Sequence, residues 1–277
     1  MRAINQPVSW WGWHWEPPVP MSIVEIVAAG NMSSRLAALF WVAMERGASL
    51  IVAADPPGAG KTTTLTALMS LTPPETMVYF TRGIGEPFAL PAVSPSHRTY
   101  LLVNEMSDHL PVYTWDHYAR RAFELLSEGY SLATTMHADS VEGVLAQLEE
   151  ELHVPRSQIA RLTFIVPMEV RHEGAVRRRV REVAMLEPNG DDFAINRIAR
   201  WDAASDGFEV FADGTEAEAF ARWAGLPGEA LAKEIDQRRA FLDGLHKAGT
   251  TSIPEVNAAV ERFYGERRGR QAPRAQA

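Results

Sequence analysis

Short apolar runs alternate with amphipathic segments along the first half of the chain. Four largely apolar runs predict strands covered on both faces: Ser49–Ala53, Met77–Phe80, Tyr100–Val103 and Ser131–Thr135. Helical spacing marks the segments around them: Asn31–Gly47, Thr62–Leu71, Trp115–Leu126 and Val141–Leu152. This alternation predicts an α/β fold with a doubly wound, mostly parallel sheet.

The second half of the chain changes pattern. Strand-like stretches at Phe164–Val170, Val176–Met185 and Phe208–Phe211 are joined by turn-rich pieces and predict a β-hairpin region. After Gly214 the spacing is helical again, and Ser252-Ile253-Pro254-Glu255 is typical of a helix start. The chain is therefore divided into a Trp/Pro-rich segment 1–20, a core 21–212, a helical subdomain 213–265 and a disordered basic tail 266–277.

The segment SWWGWHWEPPVP, residues 9–20, combines four tryptophans with three prolines. Because proline interrupts regular helix, we expect this stretch to lie extended with its rings buried against the core. A partner-binding surface is the alternative interpretation.

Composition narrows the class of protein. With 46% hydrophobic and 22% charged residues over 277 positions, the chain is an ordinary globular one, and no apolar run reaches the roughly 18 residues of a membrane helix. The chain has no cysteine and no signal-peptide pattern, which favours a cytoplasmic protein. A net charge of -8 argues against direct nucleic-acid binding. The arginine-rich stretch 171–181 is predicted to be a hairpin strand with a solvated basic face. Alternatively, Arg177, Arg178 or Arg179 could supply a positive charge to the nucleotide of a neighbouring subunit.

A phosphate-binding loop is predicted in AADPPGAGKTTT, residues 53–64. The loop follows an apolar strand and precedes a helix, as the motif G-x-x-x-x-G-K-[ST] requires. Backbone N–H groups of Gly58, Ala59, Gly60, Lys61, Thr62 and Thr63 would cradle the phosphates of ATP. Lys61 would reach the β- and γ-phosphates, and the Thr62 hydroxyl would hold Mg²⁺. Asp55 stands where the motif has its first glycine, and we expect it to weaken nucleotide binding.

A second motif is the apolar strand that ends in Asn104-Glu105. A carboxylate at the end of a strand beside a phosphate loop is where a P-loop enzyme places a ligand of the Mg²⁺ ion or its water. Glu105 is therefore predicted to contribute to the metal site and to catalysis.

The order of these motifs resembles the superfamily of type II and type IV secretion ATPases, which includes the pilus and archaellum motors. Thr135-Met136-His137-Ala138-Asp139-Ser140 looks like the histidine box of that superfamily, and Val103-Asn104-Glu105-Met106-Ser107-Asp108 is similar to its Val-Gly-Glu-[Ile/Val]-Arg-Asp stretch. The segment from Ile23 to Leu71, the arginine-rich strand and the C-terminal helices are also similar, the last to the archaeal branch.

The resemblance implies a RecA-like P-loop NTPase core with a β-hairpin region and a helical C-terminal appendage. It further implies a motor subunit that binds ATP and Mg²⁺ and works as a ring-shaped homo-oligomer such as a hexamer. The partner would be an inner-membrane platform protein, with the ATPase in the cytoplasm or peripheral at the inner face of the cell membrane. His137 would contact the γ-phosphate or a neighbouring subunit; a structural histidine is the alternative.

One departure from the superfamily concerns the base that activates the attacking water. The superfamily carries a glutamate on the strand after the phosphate loop, but here Met77–Phe80 is followed by Thr81-Arg82, and the next carboxylate is Glu86. Glu86 and Glu105 are thus the candidate bases. The resemblance also implies an N-terminal domain that has no counterpart before the core. Three functions remain open: an ATP-hydrolysing motor, a catalytically impaired nucleotide-binding regulator or assembly partner, and a small-molecule kinase.

Overall fold

A computed structural model describes residues 1–6, 20–211 and 214–271. The tryptophan-rich segment, apart from Pro20, and the last residues of the predicted tail lie outside them.

The strands, numbered along the chain, run over β1 Arg2–Ala3, β2 Leu50–Ala53, β3 Met77–Phe80, β4 Thr99–Met106, β5 Ser131–Met136, β6 Phe164–Glu173, β7 Ala175–Val180, β8 Glu182–Asn189, β9 Asp192–Asp202 and β10 Gly207–Val210. The helices run over α1 Ile23–Ala28, α2 Ser34–Glu45, α3 Lys61–Met69, α4 Asp116–Ser127, α5 Val141–Ala146, α6 Arg156–Ile159, α7 Gly214–Ala224, α8 Gly228–Lys247 and α9 Ile253–Gln271. A π-helical turn, Gln147–Glu151, extends α5. Helix α9 thus continues into the segment that was predicted to be a tail.

One large sheet organises the protein, with strand order β1-β3-β4-β5-β2-β6-β8-β9-β10. Neighbours from β1 to β6 are parallel, and those from β6 to β10 are antiparallel. Among the residues that the structure describes, β7 pairs with β6 alone, and the two strands form a hairpin that leaves the sheet. The strand before the phosphate loop is therefore central, with β5 and β6 as its neighbours. This confirms the predicted α/β fold with a RecA-like core and a hairpin region.

Apolar side chains of the parallel strands alternate between two cores, one on each face of the sheet. Leu50 and Val52 face the core formed with α1, α2, α3 and the C-terminal helices. Ile51 and Ala53 face the core formed with α4, α5 and α6. Because both faces are covered, these strands read as continuous apolar runs, which explains why the sequence predicted them well.

Helices α8 and α9 pack on α2, and all three C-terminal helices share its core. All side chains from Leu36 to Met44 are buried, since α2 lies between the sheet and α8. Tyr264 donates its hydroxyl to the Leu71 carbonyl at 2.7 Å and accepts the Trp41 indole N–H at 3.0 Å. The helical appendage is thus tied to the helix that follows the phosphate loop.

Two strands were not predicted. In β9, Phe193 is buried and the alternation then breaks, because Ile198 and Ala199 are both buried where β8 and β9 shift register. Such a bulge removes the period-2 signal from the sequence. Strand β1 is only two residues long, and it is held at the edge of β3 by two hydrogen bonds between the Asn5 side chain and the Phe80 backbone, each 2.9 Å.

The prediction of a solvated basic face on β7 is wrong for part of the strand. Val176 is exposed, whereas Arg179 is buried and pairs with Asp206 through Nε–Oδ1 at 2.8 Å. Arg179 is buried because its guanidinium lies against the end of α1, where it also donates to the Ala29 carbonyl, whereas Arg177 and Arg178 are exposed as predicted. No described helix has the length and hydrophobicity needed to cross a bilayer.

Candidate nucleotide-binding site

The phosphate loop leaves the carboxyl end of β2 and opens α3, as the sequence predicted. Gly58 and Gly60 have φ angles of 70° and 87°, values that favour glycine because it lacks a Cβ. Gly60 caps the helix, so Lys61, Thr62 and Thr63 form its first turn. The N-terminus of a helix presents unpaired N–H groups and a positive partial charge. The local geometry therefore suits an anion.

Asp55 is exposed and does not belong to the described non-glycine residues with a positive φ. The position of the missing glycine thus needs no left-handed backbone in this loop, and aspartate fits it without strain. The effect of aspartate at this position is therefore electrostatic: its carboxylate is close enough to Lys61 to raise the pKa of the lysine amine.

Lys61 is almost fully buried at the centre of the site. Its amine donates to the Ala54 carbonyl at 2.8 Å and lies 3.4 Å from His137 Nδ1. Burial lowers the pKa of Lys61, although the carboxylates of Glu105 and Asp55 oppose that shift. A buried ammonium beside empty helical N–H groups is well placed to pair with phosphate.

Glu105 and His137 lie together next to Lys61, as the carboxyl ends of β4 and β5 meet at one edge of the sheet. His137 Nε2 is 3.1 Å from Glu105 Oε1, and Ser107 donates its hydroxyl to the same oxygen at 2.9 Å. Burial alone would raise the pKa of Glu105, but the hydrogen bond and charge of His137, together with Lys61, hold it below its usual value. The hydrogen bond to Glu105 raises the pKa of His137.

The His137 ring is oriented from its other side as well. Nδ1 lies 3.1 Å from the Asp55 carbonyl oxygen, and the His137 carbonyl accepts from Gln147 Nε2 at 2.5 Å. Lys61, Glu105 and His137, which the sequence places in three separate motifs, therefore form one hydrogen-bonded group.

Glu86, the other candidate base, has a different environment. Its carboxylate is buried and accepts from the Tyr79 hydroxyl at 2.6 Å, the Phe88 N–H at 2.6 Å and the Arg82 N–H at 2.7 Å. Burial, reinforced by Glu86, raises the pKa of Tyr79 to about 12. All three donors belong to residues 79–88, so the Glu86 carboxylate stabilises the loop that follows β3.

The end of β3, where the resemblance calls for a catalytic carboxylate, carries hydroxyl groups. Thr81 is buried, and its hydroxyl lies 3.0 Å from that of Thr114. The end of β3 thus differs from the pattern that the resemblance implies, while Lys61, Glu105 and His137 lie together beside the loop.

Two further residues join the site that sequence reasoning did not place there. Arg178, on β7, donates its Nε–H to the Gly58 carbonyl of the same chain at 2.8 Å. A Cβ on Gly60 would lie 3.1 Å from the Arg178 Cδ, so a larger residue there would displace the arginine slightly, in addition to straining the backbone. His109, on the loop after β4, places its ring 5.2 Å from that of His137, measured between centroids. In the sequence, the arginine-rich stretch 171–181 could have indicated Arg178, and the four-residue spacing between Glu105 and His109 could have indicated His109.

The fold and loop together define a RecA-like P-loop core. No family model matches the chain. An uncharacterised protein of Methanocaldococcus jannaschii is 25% identical over 255 residues, covering 80% of this chain and 91% of that protein. A second uncharacterised protein of the same organism is 23% identical over 218 residues, covering 68% of this chain and 38% of its own length.

Two solved structures are similar to the chain at low scores. The VirB11 ATPase from the Brucella suis type IV secretion system, in complex with sulphate, gives a TM-score of 0.38 at 15% identity, over 59% of each chain. The Legionella pneumophila ATPase DotB gives 0.37 at 12% identity, over 80% of this chain and 58% of that one. This chain therefore spans less than two thirds of either ATPase, and the function has to be inferred from the site itself.

Proposed function

We propose that the protein binds ATP with Mg²⁺ and hydrolyses it as a subunit of a machine of the secretion, pilus or archaellum type. The observation that carries the proposal is the group at the carboxyl edge of the sheet, where buried Lys61 meets Glu105 and His137 at the N-terminus of α3. The order of motifs that resembles secretion ATPases supports the type of machine.

Each residue has a proposed role in this reaction. Lys61 would exchange the Ala54 carbonyl for the β- and γ-phosphates, and the backbone N–H groups of Gly58–Thr63 would bind their oxygens. Thr62 and Glu105 would hold Mg²⁺, which supplies charge neutralisation at the transferred phosphate when it is bound. Glu105 would also orient the attacking water, with His137 as the residue that senses the γ-phosphate.

The assembly is proposed on the same grounds. The subunits would form a ring, as a hexamer, that contacts an inner-membrane platform protein from the cytoplasmic side. Within each subunit, residues 21–212 would form the ATPase core and residues 213–265 a separate helical subdomain.

A second candidate function is nucleotide binding without efficient turnover, as a regulator or assembly partner. One observation favours it: the end of β3 carries Thr81 and Arg82, and the carboxylate of nearby Glu86 is occupied by three donors.

The test combines nucleotide binding and phosphate release on the full chain. Lys61→Met should abolish binding of a fluorescent ATP analogue, whereas Lys233→Met, an exposed lysine on α8, should not. Phosphate release above the Lys61→Met level, lost in Glu105→Gln, would establish the ATPase. Binding that depends on Lys61 without such release at any protein concentration supports the second candidate. Binding that is equal in wild type and Lys61→Met would overturn both.

A further inference from the structure

Three side chains at the mouth of the phosphate loop converge on one point. Glu105, His109 and His137 each present a ligand atom, and these atoms all lie within 4.8 Å of one another. Glu105 and His137 come from adjacent strands, and His109 comes from the loop that follows β4. Two imidazoles and one carboxylate form a donor set that suits zinc and similar divalent transition ions, whereas Mg²⁺ prefers oxygen ligands.

The spacing within the cluster is close to that of a metal site. Ligands about 2.0–2.2 Å from a tetrahedral zinc ion lie about 3.3 Å from each other. His137 Nε2 and Glu105 Oε1 are already 3.1 Å apart, so an ion can replace the proton between them with little movement. The His109 side chain is more than half exposed on a surface loop, so it can move the short distance needed to reach an ion held by Glu105 and His137.

The environment of His137 supplies an independent argument. The two ring nitrogens face two acceptors, the Asp55 carbonyl beside Nδ1 and the Glu105 carboxylate beside Nε2, each at 3.1 Å. A neutral imidazole has one N–H, so it can satisfy only one of them. An ion that takes the place of the proton between Nε2 and the carboxylate leaves Nδ1–H donated to the Asp55 carbonyl. Histidine ligands of metals are held in this way by a carbonyl on the second nitrogen.

Neighbouring charges are compatible with a cation. The carboxylate of Asp108 lies 3.9 Å from His109 Nε2 and adds negative charge at the open side. The ammonium of Lys61 approaches the ring at Nδ1, away from the nitrogen that faces Glu105, and is held by the Ala54 carbonyl.

We propose that Glu105, His109 and His137 bind a divalent transition ion of the zinc class when the phosphate loop holds no nucleotide, with water as the fourth ligand. The binding itself does not depend on the proposed function. One consequence rests on it: an ion at this position removes Glu105 from Mg²⁺, so zinc would inhibit ATP turnover.

The test titrates Co²⁺ into the nucleotide-free full chain, follows the visible absorption of the bound ion, and then displaces it with Zn²⁺. We expect one ion per chain. His109→Ala should weaken binding at least about tenfold, and His117→Ala, an equally exposed histidine on α4, should not change it. Lys61→Met should keep Co²⁺ binding while losing ATP, which separates this inference from the proposed function.

Two outcomes would overturn the site: no Co²⁺ absorption at micromolar protein and metal, or equal affinity in wild type and His109→Ala. Circular dichroism of each variant checks that the fold is retained, and His109, being on an exposed loop, can be removed without opening the core.

Discussion

Arg178 donates a hydrogen bond to the carbonyl of Gly58, 120 positions earlier in the chain, and so brings a guanidinium to the rim of its own phosphate loop. The bond to Gly58 uses only the Nε–H, so the other guanidinium N–H groups can donate to a bound phosphate. A hydrogen bond that involves a charged group contributes about 1.5–3 kcal/mol, and 1.4 kcal/mol corresponds to a factor of ten in affinity. We therefore expect Arg178→Ala to weaken binding of an ATP analogue about tenfold.

The neighbouring arginine offers the matched control for this prediction. Arg177 is half exposed and lies 3.8 Å from Asp206, away from the loop. Arg177→Ala should leave nucleotide affinity within about twofold of wild type. Equal losses in the two variants would show that Arg178 acts only through the general charge of the hairpin.

Asp55 is predicted to hinder nucleotide binding by charge alone. The residue is exposed and its backbone is unstrained, so Asp55→Asn should leave the loop intact and remove a repulsion with the phosphates. We expect a roughly threefold gain in ATP affinity at low salt that shrinks as ionic strength rises. Titrations at several salt concentrations check this, with Asp191→Asn in an exposed turn as the control. A loss of affinity would mean that the carboxylate has a positive role.

Glu86 is predicted to stabilise its loop and not to activate water. Glu86→Gln turns an amide towards three donors, so the free energy of unfolding should fall by about 1–3 kcal/mol, while turnover per folded molecule stays unchanged. Urea unfolding and phosphate release measure the two effects, and Glu128→Gln, on the surface of the protein, controls for a lost charge. A drop in turnover at unchanged stability would assign catalysis to Glu86.

Arg238 ties the C-terminal helices to the core. Its guanidinium is fully buried, pairs with Glu45 and Glu234, and lies over the rings of Trp41 and Phe263. Removing one partner of a buried ion pair costs about 3–5 kcal/mol, because the other charge is left without compensation. Arg238→Met should lose that much in urea unfolding. Arg239→Met, on the exposed side of α8, should lose less than about 0.5 kcal/mol; similar losses would contradict the assignment.

Glu234 makes the stability of the same region depend on pH. Burial alone would raise the pKa of Glu234, but the hydrogen bonds from Arg267 and Arg238 lower it to about 2. Because the folded pKa lies below the ordinary value of 4.5, the stabilisation is fully present above that pH and is lost as the pH falls towards 2. We expect a loss on the order of 2 kcal/mol over this range.

Chemical denaturation between pH 5 and pH 2 measures that loss. Glu234→Gln should flatten this part of the profile, whereas Glu229→Gln, an exposed residue of the same helix, should leave it as in wild type. A profile that keeps its full slope in Glu234→Gln would place the acid sensitivity elsewhere in the protein.

The local pattern of residues was enough to predict the central strands. The run Met77–Phe80 has the same bounds in the structure, and the strand before the phosphate loop differs by one residue. Both are short apolar runs covered on two faces, so each carries its own signal. Strand β9 does not, because a bulge moves Ile198 out of phase, and β1 is defined only by its pairing with β3.

The same division holds for the site. Lys61, Thr62 and Glu105 were predicted from the order of strand, loop and helix along the chain, and His137 from the resemblance of its segment to a histidine box. Only the tertiary structure could place Arg178 on Gly58, bring His109 to His137, and show that the Glu86 carboxylate is occupied. Those contacts depend on the order of strands in the sheet and on the path of a hairpin and two loops, and no periodicity along the chain encodes either.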